Sequence, residues 1–169
     1  MYRRANLLSR LFVFTLMLVI TCLFFLLWFR PLRIAGDSMM PALAKEDIVL
    51  VDCLTKYWKQ PQRGDIVCFK DAYGVFVKRI IALPGETIDI KDGLVYIDGC
   101  PLDETAYREV SEGNMSAITV PEGSVFVLGD MRTIIYDSRL ESVGCIPYVN
   151  INGILRVRLT PLKRFTFFV

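Results

Sequence analysis

The chain contains no histidine. That removes Ser-His-Asp and Cys-His mechanisms and the histidine-based zinc proteases. Hydrolytic chemistry would have to come from serine with lysine, from paired carboxylates, or from a metal held by carboxylates alone. Three segments carry residues for it. In Gly36-Asp37-Ser38-Met39-Met40-Pro41, a serine follows a glycine that permits unusual backbone angles and precedes a proline that fixes the chain. Backbone N–H groups of such a loop can hold an oxyanion; the plain alternative is an ordinary linker serine. In Val75-Phe76-Val77-Lys78-Arg79-Ile80-Ile81, strand alternation puts Phe76, Lys78, Ile80 and Ala82 on one face and Val77, Arg79 and Ile81 on the other. Lys78 then sits among apolar neighbours. Burial disfavours its ammonium form, and a neutral lysine can take a proton from a serine hydroxyl. The alternative is two surface cations whose stems cover apolar surface. The third segment runs from Gly129 through Asp130, Arg132 and Asp137 to Arg139. Its opposite charges predict ion pairs that stiffen a loop, ahead of two aspartates serving as acid and base.

These residues need a frame. Residues 11–29 (LFVFTLMLVITCLFFLLWF) carry no charge, and a bilayer core of about 30 Å takes about 20 such residues as helix. A cleaved signal peptide has a shorter apolar core and a small-residue cleavage site. This run ends instead on Trp28, Phe29 and Arg30, an interfacial pattern. It predicts a retained anchor, with residues 1–10 before it and a domain over 30–169 after it. Arg3, Arg4 and Arg10 against Arg30 and Arg33 favour a cytoplasmic N-terminus and an extracytoplasmic domain in a cell membrane.

Residues 30–46 read as an extended linker and loop. Beyond them β-branched and apolar runs dominate: DIVLVD (47–52), DIVCFK (65–70), VFVKRIIAL (75–83), TIDIK (87–91), LVYID (94–98), SVFVLG (124–129) and ILRVRL (154–159). Asp92-Gly93 between two of them signals a tight hairpin. Segment 99–123 lacks periodicity and reads as an inserted lobe or loop. The tail 162–169 reads equally as a membrane-surface segment or a last strand. The fold class expected is mainly β: one N-terminal transmembrane helix followed by an antiparallel, barrel-like domain. The net charge of +2 hides its distribution, since all five arginines of residues 1–33 precede a remainder with 15 basic and 18 acidic residues. No basic field points to nucleic acid. Five widely spaced cysteines without a Cys-x-x-Cys argue against a zinc site, and buried free thiols are expected.

The segments together resemble the bacterial type I signal peptidases, whose Gly-x-Ser-Met-x-Pro-x-Leu corresponds to Gly36–Leu43. Their Arg-Gly-Asp-Ile-Val-x-Phe corresponds to Arg63–Phe69, and their Val-Lys-Arg-Ile-Ile-Gly-x-Pro-Gly-Asp to Val77–Glu86. The Asp92-Gly93 hairpin and the Gly129-Asp130…Asp137-Ser138-Arg139 segment fit as well. The blocks fall in family order over the whole chain, and the single anchor looks like the Gram-positive branch. The resemblance implies a serine endopeptidase with Ser38 as nucleophile and Lys78 as general base, and no cofactor or metal. The Ser38 N–H would hold the oxyanion, and Met39 and Met40 would help form an apolar floor. Asp137 would pair with Arg79 or Arg139; Gly36 and Asp130 complete the expected supporting set. Partners would be the signal peptides of secretory preproteins, cut after small residues in an Ala-x-Ala-like pattern, and the lipid bilayer.

Three features depart from that pattern. Met131 stands for the usual Asn after Gly-Asp. Ile135 stands for a Ser that hydrogen-bonds the lysine amine, which Ile cannot do. Four residues, rather than two, separate Arg139 from Gly144. The first two suggest an alternative function, a catalytically weak or silent relative acting as a chaperone or assembly factor for secreted surface proteins. A self-cleaving repressor could use a similar dyad, but the apolar segment and the lack of a DNA-binding segment speak against it. If the dyad is real, Ser38 Oγ and Lys78 Nζ should approach to about 3 Å, hydrogen-bond reach.

Overall fold

The computed structural model describes residues 2–104 and 113–168, with side chains from residue 7 onward. Part of the aperiodic 99–123 segment therefore lies outside the described residues, as do the Arg3 and Arg4 side chains. Helix α1 spans Tyr2–Trp28, and its stretch Leu7–Trp28 is long and apolar enough to cross a membrane, with none of that stretch buried against the domain. Two of its polar groups are satisfied within it: the Thr15 and Thr21 hydroxyls donate to the carbonyls of Phe12 and Met17, each at 2.9 Å. Lipid offers a backbone or hydroxyl group no other partner.

The helix stops at Trp28 because the chain turns directly into strand β1 (Phe29–Arg33). β1 pairs antiparallel with β2 (Ile48–Asp52), with Phe29 opposite Asp52. Residues 29–33 are thus sheet, where a linker was expected from residue 30. The pairing to β2, far along the chain, decides this. The junction is welded: Trp28 Nε1 donates to Asp52 Oδ1 at 3.0 Å, the Cys53 N–H donates to the Trp28 carbonyl at 2.9 Å, and Trp58 packs edge-on against Trp28.

The remaining strands that matter here are β3 (Ile66–Asp71), β4 (Gly74–Ala82), β5 (Thr87–Lys91), β6 (Leu94–Ile97), β7 (Cys100–Pro101), β8 (Met115–Thr119), β9 (Ser124–Leu128), β10 (Ile146–Pro147), β11 (Ile151–Thr160) and β12 (Thr166–Phe167). The larger sheet runs β1-β2-β11-β3-β4-β9-β10, with β12 on β11; a second sheet runs β7-β6-β5-β8. All pairings are antiparallel, as expected of a mainly β domain. Asp92 and Gly93 both adopt positive φ, and their β5–β6 hairpin forms as anticipated. The aperiodic segment contributes β8 to the second sheet, and the tail supplies the last strand β12. Of the five cysteines, all free thiols, only Cys68 is buried.

The long strand β11 crosses between β2 and β3 and must bring them close. Gly153 makes this possible: a Cβ there would lie 2.5 Å from the Asp52 carbonyl oxygen and 2.7 Å from a Val51 methyl. Gly153→Ala is expected to destabilise the domain by about 2 kcal/mol through overpacking. Denaturant unfolding in detergent micelles measures this; an unchanged midpoint would show that the sheet can open here at no cost.

Candidate active site

Ser38 lies in an excursion, residues 34–46, closed at its base by reciprocal backbone bonds. The Ile34 N–H donates to the Asp47 carbonyl at 2.9 Å, and the Glu46 N–H to the Ile34 carbonyl at 2.8 Å. Within the loop the Lys45 N–H donates to Asp37 Oδ1 at 3.1 Å. Met39 and Leu43, 1% and 0% exposed, pin it to the core beside Ile34, Val49 and Leu155. Of the two methionines expected to help form an apolar floor, Met39 lines the site and Met40 does not. Gly36 has no positive φ and open space around it, so no special backbone geometry requires a glycine there. What it contributes is an empty wall.

Lys78 comes from β4, opposite Val67 of β3. Phe76 and Ile80 pack with Val67 and Phe69, as alternation predicts. Ala82 instead joins Ile81 in another cluster, because the β4–β9 register shifts between Ile80 and Ala82. A bulge inserts one residue and exchanges the faces beyond it. Lys78 is 1% exposed, and Arg79, expected on the opposite face, is 8% exposed. Neither is a surface cation. Burial lowers the Lys78 pKa from 10.5; Asp137 pulls it up, while Arg139 pushes it down.

Ser38 and Lys78 face one trough of about 500 Å³. One wall is the chain from Leu32 to Gly36, the other is Val75–Lys78, and Ile134 and Tyr136 cover the far side. No direct hydrogen bond joins Ser38 Oγ to Lys78 Nζ. Catalytic hydrogen bonds commonly tighten only around substrate. Among the described residues the Ser38 backbone N–H has no acceptor. The Tyr136 hydroxyl donates to Asp71 Oδ2 at 2.7 Å, and desolvation together with that carboxylate pushes its pKa up to about 12. Tyr136 thus keeps its proton. Among the described residues no group of three or more carboxylate and thiol side chains converges to hold a metal.

The 129–139 segment joins the two walls. The Met131 N–H donates to the Ser38 carbonyl at 3.1 Å. A Cβ on Gly129 would lie 2.6 Å from that carbonyl oxygen and 3.3 Å from Lys78 Nζ. The charges pair as anticipated but with partners now fixed. Arg79 holds Asp130 by two bonds of 2.8 and 2.6 Å, and Arg139 holds Asp137 by two bonds of 2.8 Å. Asp137 also accepts the Gly129 N–H at 3.1 Å. Arg132, 1% exposed, donates to the Gly129 carbonyl at 2.8 Å and pairs with the buried Glu104. Asp130 and Asp137 are both engaged by arginine, which leaves no free acid–base pair. The lengthened stretch after Arg139 closes as a turn, with the Val143 and Gly144 N–H groups both on the Leu140 carbonyl at 2.9 Å.

Sequence reasoning missed three residues of this site. Glu104 lies in an aperiodic stretch with no local signal. Gly129 carried a usable signal, a glycine directly after an apolar strand and before the charged loop. Ile134 was masked by attention to Ile135. It is Ile134 that lines the trough, while Ile135 is 56% exposed and does not line it.

An antiparallel β domain following an apolar helix, with a loop serine and a buried lysine lining one trough, has the form of a peptidase. Comparison with known proteins agrees on that class. The family model described as signal peptidase, peptidase S26, matches residues 5–160. A probable signal peptidase I-1 of Synechocystis is 38% identical over 80% of this chain and 74% of its own. Signal peptidase I S of Bacillus subtilis is 36% identical over 66% of each. The solved signal peptidase I of Enterococcus faecalis shares 33% identity at a TM-score of 0.50, covering 57% of this chain and 97% of that one. The chain belongs to the signal peptidase family, peptidase S26.

Two substitutions separate the contributions of this loop. Gly129→Ala should displace the Ser38 carbonyl and lower turnover by about 100-fold, the usual effect of an ångström-scale misplacement; wild-type turnover would show that the approach is not constraining. Ile135→Ser should change turnover by less than about twofold, since surface substitutions away from a site act weakly. A large gain would mean that residue 135 reaches the lysine after all.

Proposed function

We propose that this peptidase removes signal peptides from secreted preproteins, with Ser38 as nucleophile and Lys78 as general base. The observation that carries the reading is a lysine 1% exposed, across one trough from a loop serine, with its pKa lowered by burial. Neutral Lys78 takes the Ser38 hydroxyl proton as Oγ attacks the scissile carbonyl. The oxyanion forms against the unengaged Ser38 N–H. Lysine-bound proton then passes to the leaving amine, leaving an acyl-enzyme on Ser38 Oγ. Water, deprotonated by Lys78 in turn, hydrolyses that ester and frees the serine.

Both trough walls support binding of an extended chain. β1 ends the larger sheet, so its outer backbone edge is unpaired by sheet. On β4, β9 pairs only from Arg79 onward, which leaves Val75–Lys78 with a free edge. A peptide lying between these edges would be held by main-chain hydrogen bonds, with alternate side chains meeting Ile34, Met39 and Val77. That apolar surround suits the small residues of an Ala-x-Ala-like cut.

Membrane anchoring follows the same reading. Residues 1–10 are cytoplasmic, the apolar run crosses the bilayer as a single pass, and residues from 30 onward form the extracytoplasmic catalytic domain. The run's helical part ends one residue earlier than expected, at Trp28. The alternative of a silent relative rested on Ile135 and Met131. Ile135 does not line the trough, and Met131 supplies only its backbone N–H to the Ser38 carbonyl, which any residue but proline can do. Neither favours that alternative.

Detergent-solubilised protein incubated with secretory preproteins should process them, and Ser38→Ala and Lys78→Ala should each lower the rate by at least about 100-fold. Equal processing by all three proteins refutes the assignment. Because only the neutral amine accepts a proton, the wild-type rate should rise with pH through the lowered Lys78 pKa and level off before the ordinary 10.5. A flat profile would remove Lys78 from the role of base.

A further inference from the structure

A second chamber of about 460 Å³ adjoins the trough on its membrane side. The two share Leu32 and Val75 in their walls. The order along the chain runs from the helix outward: Leu27, Arg30 and Pro31 line only the second chamber, Leu32 lines both, and Arg33, Ile34, Ala35, Gly36 and Ser38 line only the trough. β4 steps the same way, from Val75 in both to Lys78 in the trough alone. A polypeptide whose apolar segment lies in the bilayer and whose cut bond lies at Ser38 runs past this chamber before it reaches the trough.

The chamber is basic at its rim and apolar at its base. Arg30 and Lys56 both line it, with Cys53 and Cys68 below. Among the described residues Arg30 forms no ion pair, unlike Arg33, which is bound to Glu46. Lys56 donates one bond to the Ile151 carbonyl and its Nζ lies 5.2 Å from the Tyr57 ring centre; among the described residues no carboxylate pairs with it. The nearby acid, Asp52, is buried and fully engaged by Trp28, by the N–H groups of Leu54 and Thr55, and by Arg156. Burial raises the Cys53 pKa; Arg30 pulls it down, Asp52 pushes it up and Lys56 pulls it down, so both cations act at Cys53 with Asp52 opposing them.

We infer that this chamber is a second substrate subsite, which takes the preprotein residues roughly four to six positions before the cut and selects an acidic side chain over a basic one there. The register follows from β4: Lys78 lies three residues along from Val75, a span of about 10 Å, so an extended substrate leaves the trough after about three residues. Opposite charge near Arg30 and Lys56 lowers the cost of seating a carboxylate, and like charge raises it for an ammonium.

The inference rests on the proposed peptidase reading, and one preprotein series tests both separately. Glu, Ala or Lys is placed at the fifth position before the cut, and kcat/KM is measured in a non-ionic detergent without anionic lipid. The Glu substrate should exceed the Lys substrate by about fivefold, the scale of partly screened charge pairs. Arg30→Glu should reverse the order, and Lys56→Gln should shrink the ratio; Arg30 is exposed, so its variant remains informative should Lys56→Gln fail to fold. Cleavage at equal rates for all three substrates would overturn the subsite. So would a preference that emerges only when phosphatidylglycerol vesicles replace the detergent, because the chamber would then be binding lipid phosphate. Fluorescent versions of the same peptides, titrated against Ser38→Ala, read binding without chemistry. A Glu-over-Lys preference there sustains the subsite even if wild-type protein cleaves nothing, an outcome that would count against the catalytic reading alone. Equal binding would remove it.

Discussion

The backbone at Gly129 comes so close to the Ser38 carbonyl that a methyl group would sit 2.6 Å from its oxygen. Much of the site depends on this approach. It brings the end of β9 against the serine loop on one side and against Lys78 Nζ on the other, and Met131 secures it with a hydrogen bond to the same carbonyl. Gly129 is itself held through its own peptide groups: its N–H by Asp137 and its carbonyl by Arg132. The ion pairs of the loop therefore act through the backbone, fixing one glycine from which both walls take their position. A buried ion pair seldom stabilises a fold more than apolar packing of the same volume would. Here Arg79–Asp130, Arg139–Asp137 and Arg132–Glu104 supply definite geometry instead.

The same pairs have an electrostatic consequence at Lys78. A buried ammonium next to an unpaired carboxylate keeps its proton, because the opposite charge offsets the desolvation. Asp137 and Asp130 are close enough to act this way. Each, however, is bound by arginine through two bonds, and Arg139 opposes Asp137 at the lysine. Burial then dominates and the lysine pKa falls. With no histidine in the chain, this cancellation leaves desolvation to set the direction of the shift at the one buried amine that shares the trough with Ser38.

The weld between helix and sheet links the apolar helix to the trough. Trp28 and Asp52 hold the end of α1 to β2, and β1 runs without a break from that weld to the base of the serine loop. A rigid lead of this kind sets the distance of Ser38 from the end of the helix, where a flexible linker would leave it variable. The two chambers along β1 lie in that same order, the basic one nearer the helix and the trough beyond it.

Much of this was legible in the residue order. Absence of histidine, a serine between Gly36 and Pro41, and a lysine in an alternating apolar run determined which chemistry the chain can support, because those are matters of residue type and strand period. The apolar run and the punctuated β-rich segments determined the architecture for the same reason, and Asp92-Gly93 its clearest hairpin. The tertiary structure decided whatever depends on contacts between distant segments. Pairing with β2 turned Phe29, expected in the anchor, and residues 30–33, expected as linker, into strand. A bulge on β4 moved Ala82 to the other cluster, and Arg79 was buried against Asp130, where the resemblance had offered Asp137 as its partner. Ile135 was left outward while Ile134 took the place beside the trough. Glu104 became the partner of Arg132 from a stretch without any pattern. Alternation and spacing are local properties, readable one segment at a time; the meeting of Gly129 with Ser38 and Lys78 exists only once β4, β9 and the serine loop are packed together.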